Sequence, residues 1–85
     1  MGHKQVMSIL TVEQIRMARS ALGWSFEDFS NECLVSARTL RRIESEGGLD
    51  KATPANLKLI RETLEAAGVE FVGGPGDGPG VRLWK

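Results

Sequence analysis

The chain has 85 residues, of which 41% are hydrophobic and 26% are charged, and its eleven basic residues are balanced by eleven acidic ones. This length supports a single domain, and the composition is that of a folded globule and excludes a disordered tail. Charge neutrality excludes the overall basic excess that many DNA-binding domains carry, although the local distribution of charge decides whether phosphates bind.

The cysteine content and the hydropathy of the sequence indicate the cellular location that is expected for the chain. Cys33 is the single cysteine, which leaves no intrachain disulfide and predicts a small buried hydrophobic residue. A reducing, cytoplasmic location fits this usage. No apolar stretch reaches the roughly 18 residues that span a bilayer, and residues 1–8 are expected to form a flexible tail without a secretory signal. In this tail His3 lacks a second histidine or a nearby cysteine for a metal site.

Four segments begin with a hydroxyl residue that is preceded by an apolar residue and followed by another at the fourth helical position. These hydroxyl residues are Thr11, Ser25, Ser36 and Thr53. A hydroxyl at the N-cap accepts a hydrogen bond from an unpaired backbone N–H, worth about 1 kcal/mol, and the apolar pair fixes the entry of the chain. Glycines near the ends of these segments predict where the helices end. The pattern predicts helices at Val12–Leu22, Phe26–Cys33, residues 37–46 and residues 54–67.

The character of the sequence changes after the fourth helix. Val69–Val72 and residues 81–84 have the composition of short strands, and they flank a glycine- and proline-rich segment at residues 73–80. This pattern predicts a hairpin in which Glu70 and Arg82 pair across the strands. The connecting segment lacks the lysine, hydroxyl and following helix of a phosphate-binding loop. Because an isolated hairpin is marginal in water, it is expected to pack on the helices or on a second chain.

Residues 25–46 have the organisation of a helix-turn-helix unit. A short helix is followed by a turn of two or three residues around Leu34 and by a second capped helix. In such a unit the first helix braces the second, which enters the major groove of DNA with its amino end first. Leu40 and Ile43, three positions apart, predict the buried side of the second helix, together with Val35 from the turn.

Three arginines predict the exposed side of the same helix. Arg38, Arg41 and Arg42 stand at positions i, i+3 and i+4 and therefore share one stripe. Guanidinium groups near the start of a helix do not favour the helix itself, whose amino end is already positive. Arginine does suit a DNA surface, because it bonds guanine in a bidentate manner and pairs with phosphate. The alternative is a solvated face on which Arg42 pairs with Glu46.

Most of the chain, roughly residues 9–72, resembles the Xre or lambda-repressor-like regulators of bacteria and phages. The resemblance rests on the segments LTVEQIRMARSALGWSFEDFS, VSARTLRRIESE and TPANLKLIRETLEAAGVEF. It implies a mainly α fold, in which a four-helix lambda-repressor-like helix-turn-helix domain at residues 9–68 is followed by a short C-terminal β-hairpin at residues 69–85. It also implies a sequence-specific regulator of transcription that binds double-stranded DNA.

The resemblance further implies roles for individual residues. The positions that approach bases and nearby phosphates are occupied by Ser36, Ala37, Arg38 and Arg42. Thr39 and Arg41 lie beside them, where contact with the DNA backbone is expected. Arg19 and Glu44 match a structural ion pair common in the family, and a half-buried carboxylate at Glu44 needs such a partner in any case.

Two departures from the family pattern bear on DNA affinity more than on the fold. Phe26 stands where the family often has a glutamine that bonds a phosphate, and the adjacent Glu27 and Asp28 repel phosphate. Leu34 stands where the turn often has glycine. Its presence predicts either an unusual turn conformation or ordinary geometry with a changed angle between the helices.

The function expected from these residues is that of a cofactor-free transcriptional regulator. A homodimer is expected, with residues 69–84 supplying the contact through Phe71, Leu83 and Trp84; Trp84 has the alternative of covering its own domain. The alternative function is a protein-interaction module of the same fold, such as an antitoxin or an accessory subunit. The neutral charge, Phe26 and the acidic Glu27 and Asp28 favour this alternative. No enzyme is expected, because the sequence offers no nucleophile–base pair, metal-ligand cluster or phosphate-cradling loop.

Overall fold

The computed structural model describes residues 10–45, 48–74 and 76–84. The fold is mainly helical and ends in an antiparallel hairpin. Its elements are α1 (Val12–Leu22), α2 (Phe26–Cys33), α3 (Ala37–Ile43), a 3₁₀ turn (Gly48–Lys51), α4 (Pro54–Ala66), β1 (Val69–Val72) and β2 (Gly80–Leu83). The expected tail at residues 1–8 and Glu46, at the expected end of the third helix, lie outside the described residues.

Each of the four α-helices begins at the hydroxyl residue that the sequence predicts. The side-chain oxygen of the N-cap accepts a backbone N–H three positions later in every case, at Thr11, Ser25, Ser36 and Thr53. In α1 and α2 the bond is reciprocal, because the side chains of Gln14 and Asp28 accept the N–H of their N-caps. Local chemistry therefore fixes where the helices start.

The end of α3 differs from the prediction. This helix was expected to continue to residue 46 and instead ends at Ile43, with Glu44 as its C-cap. Gly48 lies so close to the last turn of α3 that a Cβ atom on it would overlap the carbonyl oxygens of Arg42 and Ile43. Only glycine fits a backbone contact of this kind, and the position of Gly48 against the end of α3 leaves no room for a longer helix.

Two smaller differences concern α4 and β2. Helix α4 ends at Ala66, one residue before the predicted end, because Gly68 already has a left-handed backbone with φ 101°. Strand β2 runs from Gly80 to Leu83 where the prediction was residues 81–84. Gly80 pairs with Val72, whereas the backbone N–H of Trp84 leaves the ladder and bonds the carbonyl oxygen of Gly68 at 2.7 Å.

A single hydrophobic core joins all the α-helices and β1. The buried residues are Leu10, Ile15, Ala18, Phe29, Cys33, Val35, Leu40, Ile43, Ile60, Leu64 and Val69. They include Val35, Leu40 and Ile43, which the sequence predicts to be buried. Cys33 packs among them as predicted, and burial raises the pKa of its thiol. The core thereby fixes α3 against the other helices.

The hairpin packs on its own domain. Glu70 faces Arg82 in the observed register, as predicted, with Arg82 Nη1 3.4 Å from Glu70 Oε1. Phe71, Val81 and Leu83 are half-buried against the core of the helices. The hairpin is therefore covered on one face by the α-helical part of the same chain.

A buried glutamine joins α1 to this hairpin. The side chain of Gln14 has no exposed surface, and its amide nitrogen donates to the carbonyl oxygens of Val72 at 3.0 Å and Gly80 at 3.1 Å. Its Oε1 accepts the backbone N–H of Thr11 at 3.1 Å. One side chain thus completes the cap of α1 and also bonds both strands.

The turn between α2 and α3 has an unusual conformation, which was one of the two alternatives for Leu34. Its backbone is left-handed, with φ 64° and ψ 13°, and its side chain is 85% exposed. The residue caps α2 by donating its N–H to the carbonyl oxygen of Ser30 at 2.9 Å. A leucine in this conformation is strained by about 1–2 kcal/mol, and its side chain buries little surface in return.

Replacing Leu34 with glycine should therefore stabilise the domain. The relief of strain exceeds the extra freedom that glycine gives the unfolded chain, about 0.5–1 kcal/mol, so a net gain of about 0.5–1 kcal/mol is expected. Urea unfolding measures it. Gly23 provides the inverse control, because it caps α1 with φ 71° and open space around its Cα; Gly23→Ala should destabilise. A loss of stability in Leu34→Gly would show that the leucine side chain makes a stabilising contact.

Candidate nucleic-acid interface

Helices α2 and α3 are consecutive and are joined by residues 34–36, as the sequence predicts. Leu40 and Ile43 are each 1% exposed, and Val35 from the turn is 4% exposed. These side chains attach one side of α3 to the core, as the spacing predicts. The opposite side of α3 is consequently presented to solvent in a fixed orientation.

Arg38 and Arg42 lie on that opposite side. Successive residues of an α-helix are separated by about 100°, which places these two arginines on one edge and Leu40 and Ile43 on the other. Both arginines are exposed. None of the ion pairs within the described ranges involves either of them, while Glu46, the alternative partner of Arg42, lies outside those ranges. The two guanidinium groups form a basic edge one helical turn long.

Two of the predicted contact residues at the start of α3, Ser36 and Thr39, are hydrogen-bonded to each other. Ser36 Oγ accepts the backbone N–H of Thr39 at 3.1 Å and donates to Thr39 Oγ1 at 2.9 Å. Ser36 is exposed, whereas Ala37 and Thr39 are half-buried. Because the Ser36 proton is used within the helix, the Thr39 hydroxyl is the one that keeps a proton to donate outward.

Arg41 is exposed like its two neighbours, but it is directed toward α2. Its Nη2 lies 3.3 Å from Glu27 Oε2, and its Cζ lies 5.1 Å from the centroid of the Phe26 ring. The sequence predicts a single stripe of three arginines. The structure instead separates Arg41, which is paired across the two helices, from the basic edge formed by Arg38 and Arg42.

Phe26 has a role that sequence reasoning missed. The Cζ atom of Arg19 lies 4.2 Å from the ring centroid, so the guanidinium groups of Arg19 and Arg41 both contact this one ring. Such cation–π contacts contribute about 0.5–1 kcal/mol at exposed sites. The aromatic ring thus orients two arginines at the junction of α1, α2 and α3. Phe26 stands where the resembling family often has a phosphate-binding glutamine, and this replacement is the sequence signal that could have indicated a different role.

The ion pair implied for Arg19 and Glu44 is present and bidentate. Arg19 Nε lies 2.7 Å from Glu44 Oε2, and Arg19 Nη2 lies 3.0 Å from Glu44 Oε1. The hydrogen bond to Glu44 raises the pKa of the Arg19 guanidinium, against the opposing effect of desolvation. Arg19 Nη1 also donates to the carbonyl oxygen of Trp24 at 3.1 Å. The pair ties α1 to the carboxyl end of α3.

Arg16 adds a second bond between the same two helices. Its Nη2 donates to the backbone carbonyl oxygen of Glu44 at 2.7 Å, where α3 ends. Sequence reasoning missed this contact, although Arg16 stands three positions before Arg19 and so shares its helix face. Two arginines of α1 therefore hold the carboxyl end of α3 and fix the direction of that helix.

Comparison of the chain with protein-family models, with curated proteins and with solved structures finds no significant match. The function therefore has to follow from the geometry of the chain itself. Within the described ranges, no group of three histidine, cysteine, aspartate or glutamate side chains could hold a metal ion. None of the helices in the same ranges is both long enough and apolar enough to cross a membrane.

Proposed function

We propose that this chain is a sequence-specific transcriptional regulator of the lambda-repressor-like helix-turn-helix type, and that α3 enters the major groove of double-stranded DNA. The observation that carries the proposal is the basic edge of α3. Arg38 and Arg42 are exposed on a helix whose opposite side is fixed by Leu40 and Ile43. A rigid helix with exposed guanidinium groups on one edge is what direct readout of base edges needs.

The two arginines have different roles in this proposal. Arg38 lies in the first turn of α3 and is placed to bond the O6 and N7 atoms of guanine. Arg42 lies one turn later and pairs with phosphate, which positions the helix without reading sequence. Arg16 and Arg19 hold the end of α3 through Glu44. Because the helix is already oriented, binding needs little reorganisation of the protein.

The neighbouring residues supply contacts to the DNA backbone. The Thr39 hydroxyl can donate to a phosphate oxygen, and Ser36 and Ala37 bring the start of α3 close to the groove. No catalytic group and no cofactor take part in this mechanism. Binding then depends on charge and shape, and its affinity is expected to fall as salt rises because phosphate contacts release counterions.

A homodimer is part of the proposal, because two half-sites are normally needed for useful specificity from so small a module. The hairpin remains the proposed contact, but its residues differ in availability. Phe71 and Leu83 are half-buried in their own domain, whereas Trp84 is 61% exposed. Trp84 Nε1 donates to Glu70 Oε1 at 2.8 Å, which holds the indole at the surface. The proposed two-fold contact therefore centres on Trp84.

The second candidate function is a protein-interaction module of the same fold, with the α3 surface covered by an acidic partner protein. Two observations favour it. The chain has no net charge, and the acidic Glu27 lies 3.3 Å from Arg41 beside the basic edge. A partner protein tolerates such a mixed surface better than a row of phosphates does.

Single arginine variants test the DNA proposal on duplexes selected for binding from a random pool. Arg38→Ala should weaken binding to the selected duplex by about 10- to 100-fold and relax its preference over mixed DNA. Arg42→Ala should weaken binding to the selected duplex and to mixed DNA alike, and it should reduce the slope of log affinity against log salt by about one. Fluorescence anisotropy at several salt concentrations measures both effects.

Lys58→Ala is the matched control, because it removes one positive charge from an exposed position on α4, outside both the basic edge and the proposed dimer contact. It should change DNA affinity less than twofold. Native mass measurement of the complex should find two chains on each selected duplex. Binding that does not depend on salt, or equal losses in Arg38→Ala and Lys58→Ala, would contradict the DNA proposal and favour a protein partner.

A further inference from the structure

We infer that Glu27 limits the affinity of the proposed DNA surface: it competes with DNA phosphate for Arg41 and so weakens binding to duplexes of any sequence. This inference rests on the proposed function and extends it to a residue outside α3. The contact that carries it joins the start of α2 to α3, with Glu27 Oε2 3.3 Å from Arg41 Nη2. A carboxylate at this place occupies a donor that a phosphate oxygen would otherwise use.

A DNA phosphate can readily replace the Glu27 carboxylate as the partner of Arg41. The side chains of Arg41 and Glu27 are 56% and 68% exposed, and ion pairs as exposed as this contribute little to stability. Breaking the pair therefore costs little, and a phosphate can take the place of the carboxylate. Glu27 therefore competes weakly with phosphate for Arg41 and does not prevent DNA from binding.

Phe26 keeps Arg41 within reach of both acceptors. The Arg41 guanidinium lies over the Phe26 ring at 5.1 Å, and the same ring contacts Arg19, which is held by Glu44. Since Phe26 is fixed in this way, loss of the Glu27 contact would leave Arg41 beside α2. The guanidinium would then be free to meet a phosphate at the start of that helix.

Glu27 affects non-specific and specific binding alike. Non-specific binding is a sum of phosphate contacts, so neutralising Arg41 removes one of a small number of cations from that sum. The base contacts proposed for Arg38 do not involve the Arg41–Glu27 pair and are retained, although Arg38 and Arg41 are three positions apart and share one stripe of the helix. A carboxylate beside Arg41 thus lowers the affinity for every sequence and leaves the discrimination between sequences unchanged.

The test measures how Glu27→Gln changes binding to a mixed-sequence duplex at a series of salt concentrations. Affinity at low salt should rise by about 3- to 10-fold, and the slope of log affinity against log salt should steepen by about one, since one more phosphate is contacted. The ratio of selected-site to mixed-sequence affinity should change less than twofold, because a phosphate contact carries no sequence information. Glu32→Gln is the matched control, because Glu32 is exposed on the same helix and lines a groove with Leu59 and Glu62 of α4; it should change affinity less than twofold.

A double-variant cycle separates this role from a general effect of charge. If Glu27 acts through Arg41, the gain from Glu27→Gln should disappear in an Arg41→Gln background. An equal gain in both backgrounds, or no gain while the unaltered chain binds DNA in a salt-dependent manner, would overturn the inference and leave the proposed function standing. If neither the unaltered chain nor Glu27→Gln binds any duplex, the inference and the proposed function both fail.

Discussion

Replacing Gln14 with glutamate is expected to lower the free energy of unfolding by about 3–5 kcal/mol at neutral pH, the range seen when a buried charge loses its partner. The amide nitrogen that donates to Val72 and Gly80 becomes a carboxylate oxygen facing the same two carbonyl oxygens. The side chain has no exposed surface, so water cannot solvate the new charge. Three acceptors would then converge without a donor between them.

The loss of stability in Gln14→Glu should depend on pH in a defined direction. Burial and the neighbouring carbonyl oxygens raise the pKa of the introduced carboxyl in the folded state above its unfolded value of about 4.3. Between these two values the folded chain binds more protons than the unfolded chain, so stability falls as pH rises. Below the unfolded value the penalty from the charge disappears, because a protonated carboxyl can donate to one carbonyl oxygen. Urea unfolding at several pH values measures this dependence.

Asp28→Asn is the matched control for this experiment. Asp28 has the same position in the capping box of α2 as Gln14 has in α1, but it is exposed and bonds only the N–H of Ser25. Exchange of carboxylate and amide there should change stability by less than about 1 kcal/mol, mainly through the helix dipole. A Gln14→Glu variant as stable as the unaltered chain would mean that the hairpin is not held by this amide.

Gln14 also shows how far sequence reasoning reaches. The capping pattern identifies Thr11 and Gln14 because the two residues are three positions apart. At that position of a capping box glutamine and glutamate are equivalent, so the sequence alone predicts that the exchange is harmless. The contacts that make it harmful join Gln14 to Val72 and Gly80, 58 and 66 positions away. Local patterns carry no information on such pairs.

The candidate interface likewise combines features that local sequence patterns predict with contacts that they do not predict. Helical periodicity predicted the buried Leu40 and the exposed Arg38, because both follow from position on one helix. It could not predict that Arg41 pairs with Glu27, 14 positions earlier, since that contact depends on how α2 packs on α3. The early end of α3 likewise depends on a close backbone approach at Gly48. Caps and faces follow from local chemistry, whereas contacts between elements follow from packing.

Removing Arg19 is the second substitution with a large expected effect. Arg19→Ala should lower the free energy of unfolding by about 3–5 kcal/mol, because it leaves a buried carboxylate without its partner. Glu44 is 8% exposed, and both of its carboxylate oxygens bond Arg19. The reverse substitution, Glu44→Ala, should cost about 1.5–3 kcal/mol, since the more exposed Arg19 side chain can still reach water and the carbonyl oxygen of Trp24.

The inequality between the two single variants is the decisive measurement, and urea unfolding of both provides it. Arg82→Ala supplies the comparison, since it breaks an exposed ion pair with Glu70 and should change stability by less than about 1 kcal/mol. The double variant Arg19→Ala with Glu44→Ala should be more stable than Arg19→Ala alone, because no carboxylate is then left buried. Equal losses in the two single variants would show that Glu44 reaches solvent when Arg19 is absent. The carboxyl end of α3 would then be held by the Arg16 bond to the Glu44 carbonyl oxygen and not by the ion pair.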